Sequence, residues 1–161
     1  MVDVRVRDSY AAGEGDLRAA VLGLITVGEF HGGKAMGEGE LMRFLAEGAW
    51  YPTALLPSQG VTWQNTDDQS ALATLTDGET SVTLTFRFSD DDLIASFEAA
   101  SRGRAIDKKV VAAPWQGRFW SYEERNGMMV PMEGEVAWVL AAGTRPYWRA
   151  RTTTIDYGFL R

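Results

Sequence analysis

Two turn signals, Asn126-Gly127 and Ala141-Ala142-Gly143, separate three alternating stretches near the end of the chain: Trp115 to Arg125, Met129 to Leu140 and Arg145 to Phe159. An Asn-Gly pair suits a type I′ turn with positive φ at both central residues, so it sets which residues of the two strands face each other. A two-residue turn there places Arg118 across from Glu135, Trp120 across from Glu133 and Tyr122 across from Pro131. Reading Ala141-Ala142-Gly143 as a three-residue loop with a left-handed glycine places Arg149 across from Glu135 and Arg151 across from Glu133. The two registers agree on sidedness. One face carries Arg118, Glu133, Glu135, Tyr147, Arg149 and Arg151, and the other, with Phe119, Met132, Val136, Trp138 and Trp148, is the core face. A chain that ends this way folds as an antiparallel meander.

The rest of the sequence extends the pattern. Val2, Val4 and Val6 alternate with charged residues, Ala12 to Asp16 supplies a turn, and Leu17 to Phe30 reads as one longer returning strand. After a glycine-rich, flexible HGGKAMGEG, the residues Leu41, Phe44, Leu45 and Ala49 fall at helical spacing in a helix that starts near Gly39. Glu40, Arg43 and Glu47 mark its other side, and Pro52 and Pro57 bound the aromatic turn after it. Val61 to Gln64 begins another strand, and Leu72 to Leu75 and Val82 to Phe88 flank Asp77-Gly78, read as the central pair of a hairpin turn. Asp90-Asp91-Asp92 reverses the chain into Leu93 to Ala100, and Arg102 to Lys109 reads as a mobile charged loop. The expected fold is α+β: a curved, half-barrel-like antiparallel meander of about seven or eight strands wrapped around one main helix, as a single domain over residues 1–161.

Several function classes fall away. The net charge is −6, from 22 acidic and 16 basic side chains with no basic cluster, which disfavours nucleic acid as a partner. With no cysteine and only His31, the chain offers no thiolate and no metal-ligand set, and no cofactor is expected. The longest apolar runs, such as Val136 to Ala142, are far short of the roughly 20 residues of a membrane-spanning helix. The opening MVDVRVRDSY lacks the apolar core of a secretory signal, so a cytoplasmic location is expected. No GxGxxG, GxxxxGK[ST] or GxSxG motif is present. The consecutive carboxylates of Asp90 to Asp92 lack the spaced oxygen ligands of a calcium loop. Any catalysis would fall to carboxylates or tyrosines.

The candidate catalytic residues are Glu47, Asp68 and Glu135 as bases with Arg43 as anion stabiliser, and the candidate ligand-binding residues are Trp50, Phe86, Trp138 and Trp148. The Arg118–Glu135–Arg149 ladder has a plainer reading as solvent-side ion pairs, each contributing at most about 1 kcal/mol. Glu40, Arg43 and Glu47 read equally as a solvated helix face, and His31 as an exposed loop residue.

The runs MRFLAEGAWYPTALLP, GEVAW and YWR carry a resemblance to an uncharacterised bacterial family of domains of unknown function, across nearly the whole chain. Here these motifs include Glu40, Leu41, Arg43, Phe44, Glu47, Trp50, Pro52, Pro57, Glu135, Trp138, Tyr147 and Trp148. The resemblance implies a half barrel of the lipoprotein-carrier type and no particular reaction. Members of that family usually carry a segment before the strand at Val2 to Val6, where this chain begins; a short natural form or a trimmed chain is the expectation, with that strand as a sheet edge open to a homodimer. Two function classes stay open. One is a binding domain for an apolar or amphiphilic small molecule held between sheet and helix. The other is a metal-independent hydrolase or isomerase with carboxylate acid–base chemistry.

Overall fold

Asn126 and Gly127 both adopt positive φ, 52° and 79°, and the strands on either side pair as that turn requires, with Arg118 opposite Glu135 and Trp120 opposite Glu133. They are β8 (Lys109–Arg125) and β9 (Met128–Leu140), the longest part of a seven-stranded meander. The remaining strands of that sheet are β4 (Val61–Asp67), β5 (Ser70–Asp77), β6 (Thr80–Phe88), β7 (Ile94–Ile106) and β10 (Gly143–Arg151). Each pairs antiparallel with its neighbour in sequence. A separate antiparallel sheet holds β1 (Val4–Ala11), β2 (Glu14–Val21) and β3 (Ile25–His31), and α1 (Lys34–Glu47) packs on β6 and β7 on one side and on β1 and β2 on the other. This computed structural model describes residues 4–11, 14–21, 25–31, 33–106 and 109–158, so Val2 and Phe159 lie outside it. Among the described residues no helix is long and apolar enough to cross a membrane.

The architecture is the expected curved antiparallel sheet around a helix, with local differences that have physical causes. Leu17 to Phe30 is two strands, because Val21 pairs with Ile25, and His31 ends β3 opposite Asp16 instead of lying in a loop. The helix begins at Lys34, five residues before Gly39. Its first turn is capped by the backbone alone, Met36 and Gly37 both donating to the Gly33 carbonyl at 3.1 Å, which leaves no side-chain signature in the sequence. The β5–β6 turn is Gly78-Glu79, with Asp77 paired to Thr80 and only Gly78 at positive φ, 57°.

Three prolines inside strands mark the remaining departures. Pro114 of β8 has no N–H to donate, and β7 bulges opposite it between Ala99 and Arg102. Arg102 is thereby turned to the helix side, and the run from it to Ile106 continues β7, paired with β8 as far as Ile106 opposite Lys109, where a mobile loop over Arg102 to Lys109 was expected; residues 107 and 108 of that run lie outside the described residues. Pro131 faces Tyr122 beside Ser121, whose φ is 56°; the ladder skips Ser121, and Tyr122 packs against the core despite its even spacing from Arg118. Pro146 precedes a bulge at Tyr147 in β10. The β9–β10 turn is therefore the two residues Ala141-Ala142, and the bulge supplies the extra residue that brings Arg149 opposite Glu135 as expected. It also moves Tyr147 from the charged face to the helix side, where its ring stacks on Trp138 at 5.7 Å.

Curvature comes from glycines under aromatic rings. Phe97 pairs across β7–β8 with Gly117, and a Cβ there would lie 2.2 Å from the Phe97 ring. Phe119 pairs across β8–β9 with Gly134, over which the Trp50 ring lies 3.0 Å from the Cβ position. Each missing side chain lets a ring close onto the backbone of the sheet, as glycines at bends of curved sheets do. The core thus formed runs from Val61, Leu75, Val82, Leu84 and Phe86 through Phe97 and Trp115 to Phe119 and Trp138, closed by Leu41, Leu45 and Ala49.

Candidate functional site

Between α1 and the β7–β10 part of the sheet the core opens into a pocket of about 170 Å³. Its floor is Phe97, Trp115, Phe119 and Val136, its walls are Trp50, Tyr147 and Trp148, and Arg43 and Glu47 stand at its rim. Three of the lining rings are held by hydrogen bonds within the protein. Trp50 Nε1 donates to the Pro131 carbonyl at 2.8 Å, its ring meets Phe119 edge-on at 5.0 Å and Trp148 at 6.1 Å, and its own carbonyl accepts from Tyr157 Oη at 2.6 Å. Trp115 Nε1 donates to Tyr147 Oη at 3.0 Å. Arg102 seals the back: its guanidinium lies 4.4 Å from the Trp115 ring and donates twice to the Gly39 carbonyl, at 3.2 and 3.1 Å.

The rim is charged but paired. Arg43 Nε donates to Glu47 Oε1 at 2.9 Å, and Tyr51 Oη donates to the Phe44 carbonyl at 3.1 Å with Glu47 Oε2 at 3.5 Å. Burial, and then the neighbouring Glu47 charge, pushes the Tyr51 phenol well above its ordinary value, so it remains a donor. On the other side of Arg43 and Glu47 a wider cleft of about 490 Å³ lies between α1, Ser9 and Tyr10 of β1, and Thr76 and Asp77 of β5. Glu40 borders it at 7% exposure, with Arg43 at 3.7 Å and Arg102 at 3.9 Å. Burial raises the Glu40 carboxyl above its ordinary value; Arg102 opposes the shift and Glu47 adds to it.

Residues 1–157 match a family described as a family of unknown function, DUF6920. The chain belongs to that family. No curated protein and no solved structure matches it.

In this DUF6920 chain four of the eight candidate residues converge: Arg43, Glu47, Trp50 and Trp148 all line the aromatic pocket. Trp138 stands one layer behind, against Tyr147, and Phe86 is fully buried against Phe97 and Trp63. Asp68 is exposed in the β4–β5 turn. Glu135 sits on the opposite side of the sheet from Trp138, held by Arg118 Nη2 at 3.0 Å and Arg149 Nε at 3.2 Å, with both guanidiniums over the Trp120 ring. Among the described residues, His, Cys, Asp and Glu side chains form no cluster of three that would hold a metal ion. Trp115, Phe97, Phe119, Tyr147 and Arg102 were not among the candidates. Tyr147 and Arg102 owe their places to bulges, for which Pro146 and Pro114 are the visible signal.

Proposed function

We propose that this protein binds a small amphiphile, with its apolar end in the aromatic pocket and its polar end at Arg43 and Glu47. One observation carries the reading: six aromatic rings line the pocket, and the indole N–H groups of Trp50 and Trp115 are already bonded within the protein, so the space offers mainly ring surface, with Arg43 and Glu47 as its charged part. At about 170 Å³ it has the size of a cavity that takes a single benzene ring or a short branched chain. The test is uptake of a fluorescent hydrophobic probe. Trp148, 42% exposed, can be truncated with less harm to the fold than Trp138 or Phe86, which act on the pocket through the core. Trp148→Ala should weaken uptake about tenfold, and Glu135→Gln, on the outer face, should leave it unchanged. Equal uptake by Trp148→Ala and the parent would overturn the reading.

The second reading, a metal-independent hydrolase or isomerase, is favoured by the meeting of Glu40, Glu47 and Arg43 at the wider cleft. It requires that an ester, lactone or epoxide be turned over, and that Glu40→Gln or Glu47→Gln cut the rate by about 100-fold or more in folded protein. A cytoplasmic location and a homodimer paired through β1, the edge of the three-stranded sheet, belong to the first reading. Native mass spectrometry of fresh protein reports co-purified ligand and oligomeric state together.

A further inference from the structure

A second cavity, of about 260 Å³, opens beyond the end of α1 and shares no lining residue with the aromatic pocket. Three aromatic rings border it: Trp63, Phe88 and Tyr122. The Trp63 and Phe88 centroids are 6.3 Å apart with planes inclined by 47°, so one ion between them can lie within cation–π range of both. Their polar neighbours are spent on the walls. Trp63 Nε1 donates to the Leu55 carbonyl at 2.9 Å, and Tyr122 Oη donates to the Ile94 carbonyl at 2.6 Å. Burial keeps that phenol protonated by raising it well above its ordinary value.

One charged side chain lines this cavity, and it is acidic. Asp92 stands at the lip with φ 60°, in a tight reversal closed by Asp92 N to the Ser89 carbonyl at 3.0 Å and Ser89 N to the Leu93 carbonyl at 2.8 Å. Its carboxylate has no hydrogen bond or ion pair with any described residue. Here a carboxylate lines the same cavity as three aromatic rings, with no basic group lining the space, whereas the aromatic pocket has the paired Arg43 and Glu47 at its rim. The ring faces carry negative quadrupole potential, and the net charge of −6 adds a field that draws cations.

We propose that this second cavity is a binding site for an organic ammonium ion with an apolar body. The rings of Trp63, Phe88 and Tyr122 take the cation, Asp92 neutralises it, and Leu55 and Met129 cover the hydrocarbon. The site is independent of the proposed amphiphile pocket, and neither Trp148 nor Arg43 takes part in it.

The test is titration with benzyltrimethylammonium and with neopentylbenzene, its uncharged carbon isostere, followed at the indole N–H resonance of Trp63 and by tryptophan fluorescence. The ammonium should shift the Trp63 resonance, leave that of Trp148 in place, and bind at least about threefold more tightly than the isostere. Asp92→Asn, which keeps a residue tolerant of left-handed backbone, should weaken the ammonium about three- to tenfold and leave the isostere unchanged. Equal affinity for the two probes, an Asp92→Asn variant that binds the ammonium as well as the parent, a shift at Trp148 in place of Trp63, or no binding at millimolar concentration would each overturn the proposal.

Discussion

Replacing Gly117 with alanine tests the packing that shapes both the sheet and the pocket floor. The new methyl would lie 2.2 and 2.5 Å from Cε1 and Cζ of Phe97, and 3.2 Å from the Glu135 carbonyl oxygen. Ordinary carbon contacts are about 3.5 to 4 Å, so the Phe97 ring must retreat by more than about 1 Å. It has nowhere to go, being 1% exposed and flanked by Trp115 at 4.6 Å, Phe119 at 5.8 Å and Phe86 at 6.4 Å. Overpacking in cores costs about 1 to 3 kcal/mol, and this enclosure points to the upper end, about 3 kcal/mol. In urea the midpoint should fall with an unchanged slope, and thermal unfolding should drop by about 6 to 12 °C for a chain of this size. The decisive measurement is a double-mutant cycle with Phe97→Leu: once the ring is gone, Gly117→Ala should cost less than about 1 kcal/mol. A cost below about 0.5 kcal/mol in the parent, or the same cost in both backgrounds, would refute the argument that the ring lies on the glycine.

Two more predictions concern the charges that tie α1 to the sheet. Because the folded Glu40 carboxyl is raised above its ordinary 4.5, the folded state holds that proton more tightly than the unfolded chain; its stabilising contribution is full below pH 4.5 and is lost as pH rises through the raised value. Glu40→Gln should therefore match the parent in stability near pH 4 and exceed it at pH 7, and denaturant midpoints that keep the same separation at both pH values would contradict the assignment. Arg102→Ala should destabilise by about 2 to 3 kcal/mol, measured by urea unfolding, because it removes a buried guanidinium that packs on Trp115, bonds the Gly39 carbonyl and faces Glu40; a loss under about 1 kcal/mol would count against a structural role for the guanidinium.

Turn chemistry is local, and so it was legible. Asn126-Gly127 alone gave the pairing of Arg118 with Glu135, and the alternation around it separated Glu135 from Trp138. Bulges are settled between strands, and alternation cannot anticipate them. Alternation therefore puts Tyr147 on the charged side and gives no strand to the run from Arg102. At these three places the residue beside or opposite the irregularity is a proline within a strand, Pro146, Pro131 or Pro114, which marks the place without marking the direction of the shift, whereas the shifts at Ala19–Ala20, Asn65–Asp67 and Arg87–Phe88 carry no such mark. The helix start was hidden for a different reason. Met36, Gly37 and Gly39 read as flexible because glycine disfavours isolated helix, whereas Gly37 and Gly39 are buried where α1 packs between two sheets. Burial on both sides also explains why Glu40, expected in solvent, is nearly inaccessible.

The meander gives the molecule an uneven timetable. Strand neighbours in the large sheet are neighbours in sequence, so its hairpins can close quickly and with little loop entropy. The aromatic pocket obeys another clock, because Trp50 reaches Pro131 across 81 residues and receives Tyr157 across 107. Contacts of that span carry a larger closure cost than the hairpins and are expected to form after them, so a pocket ligand should lengthen the lifetime of the folded state while leaving the rate of folding almost untouched.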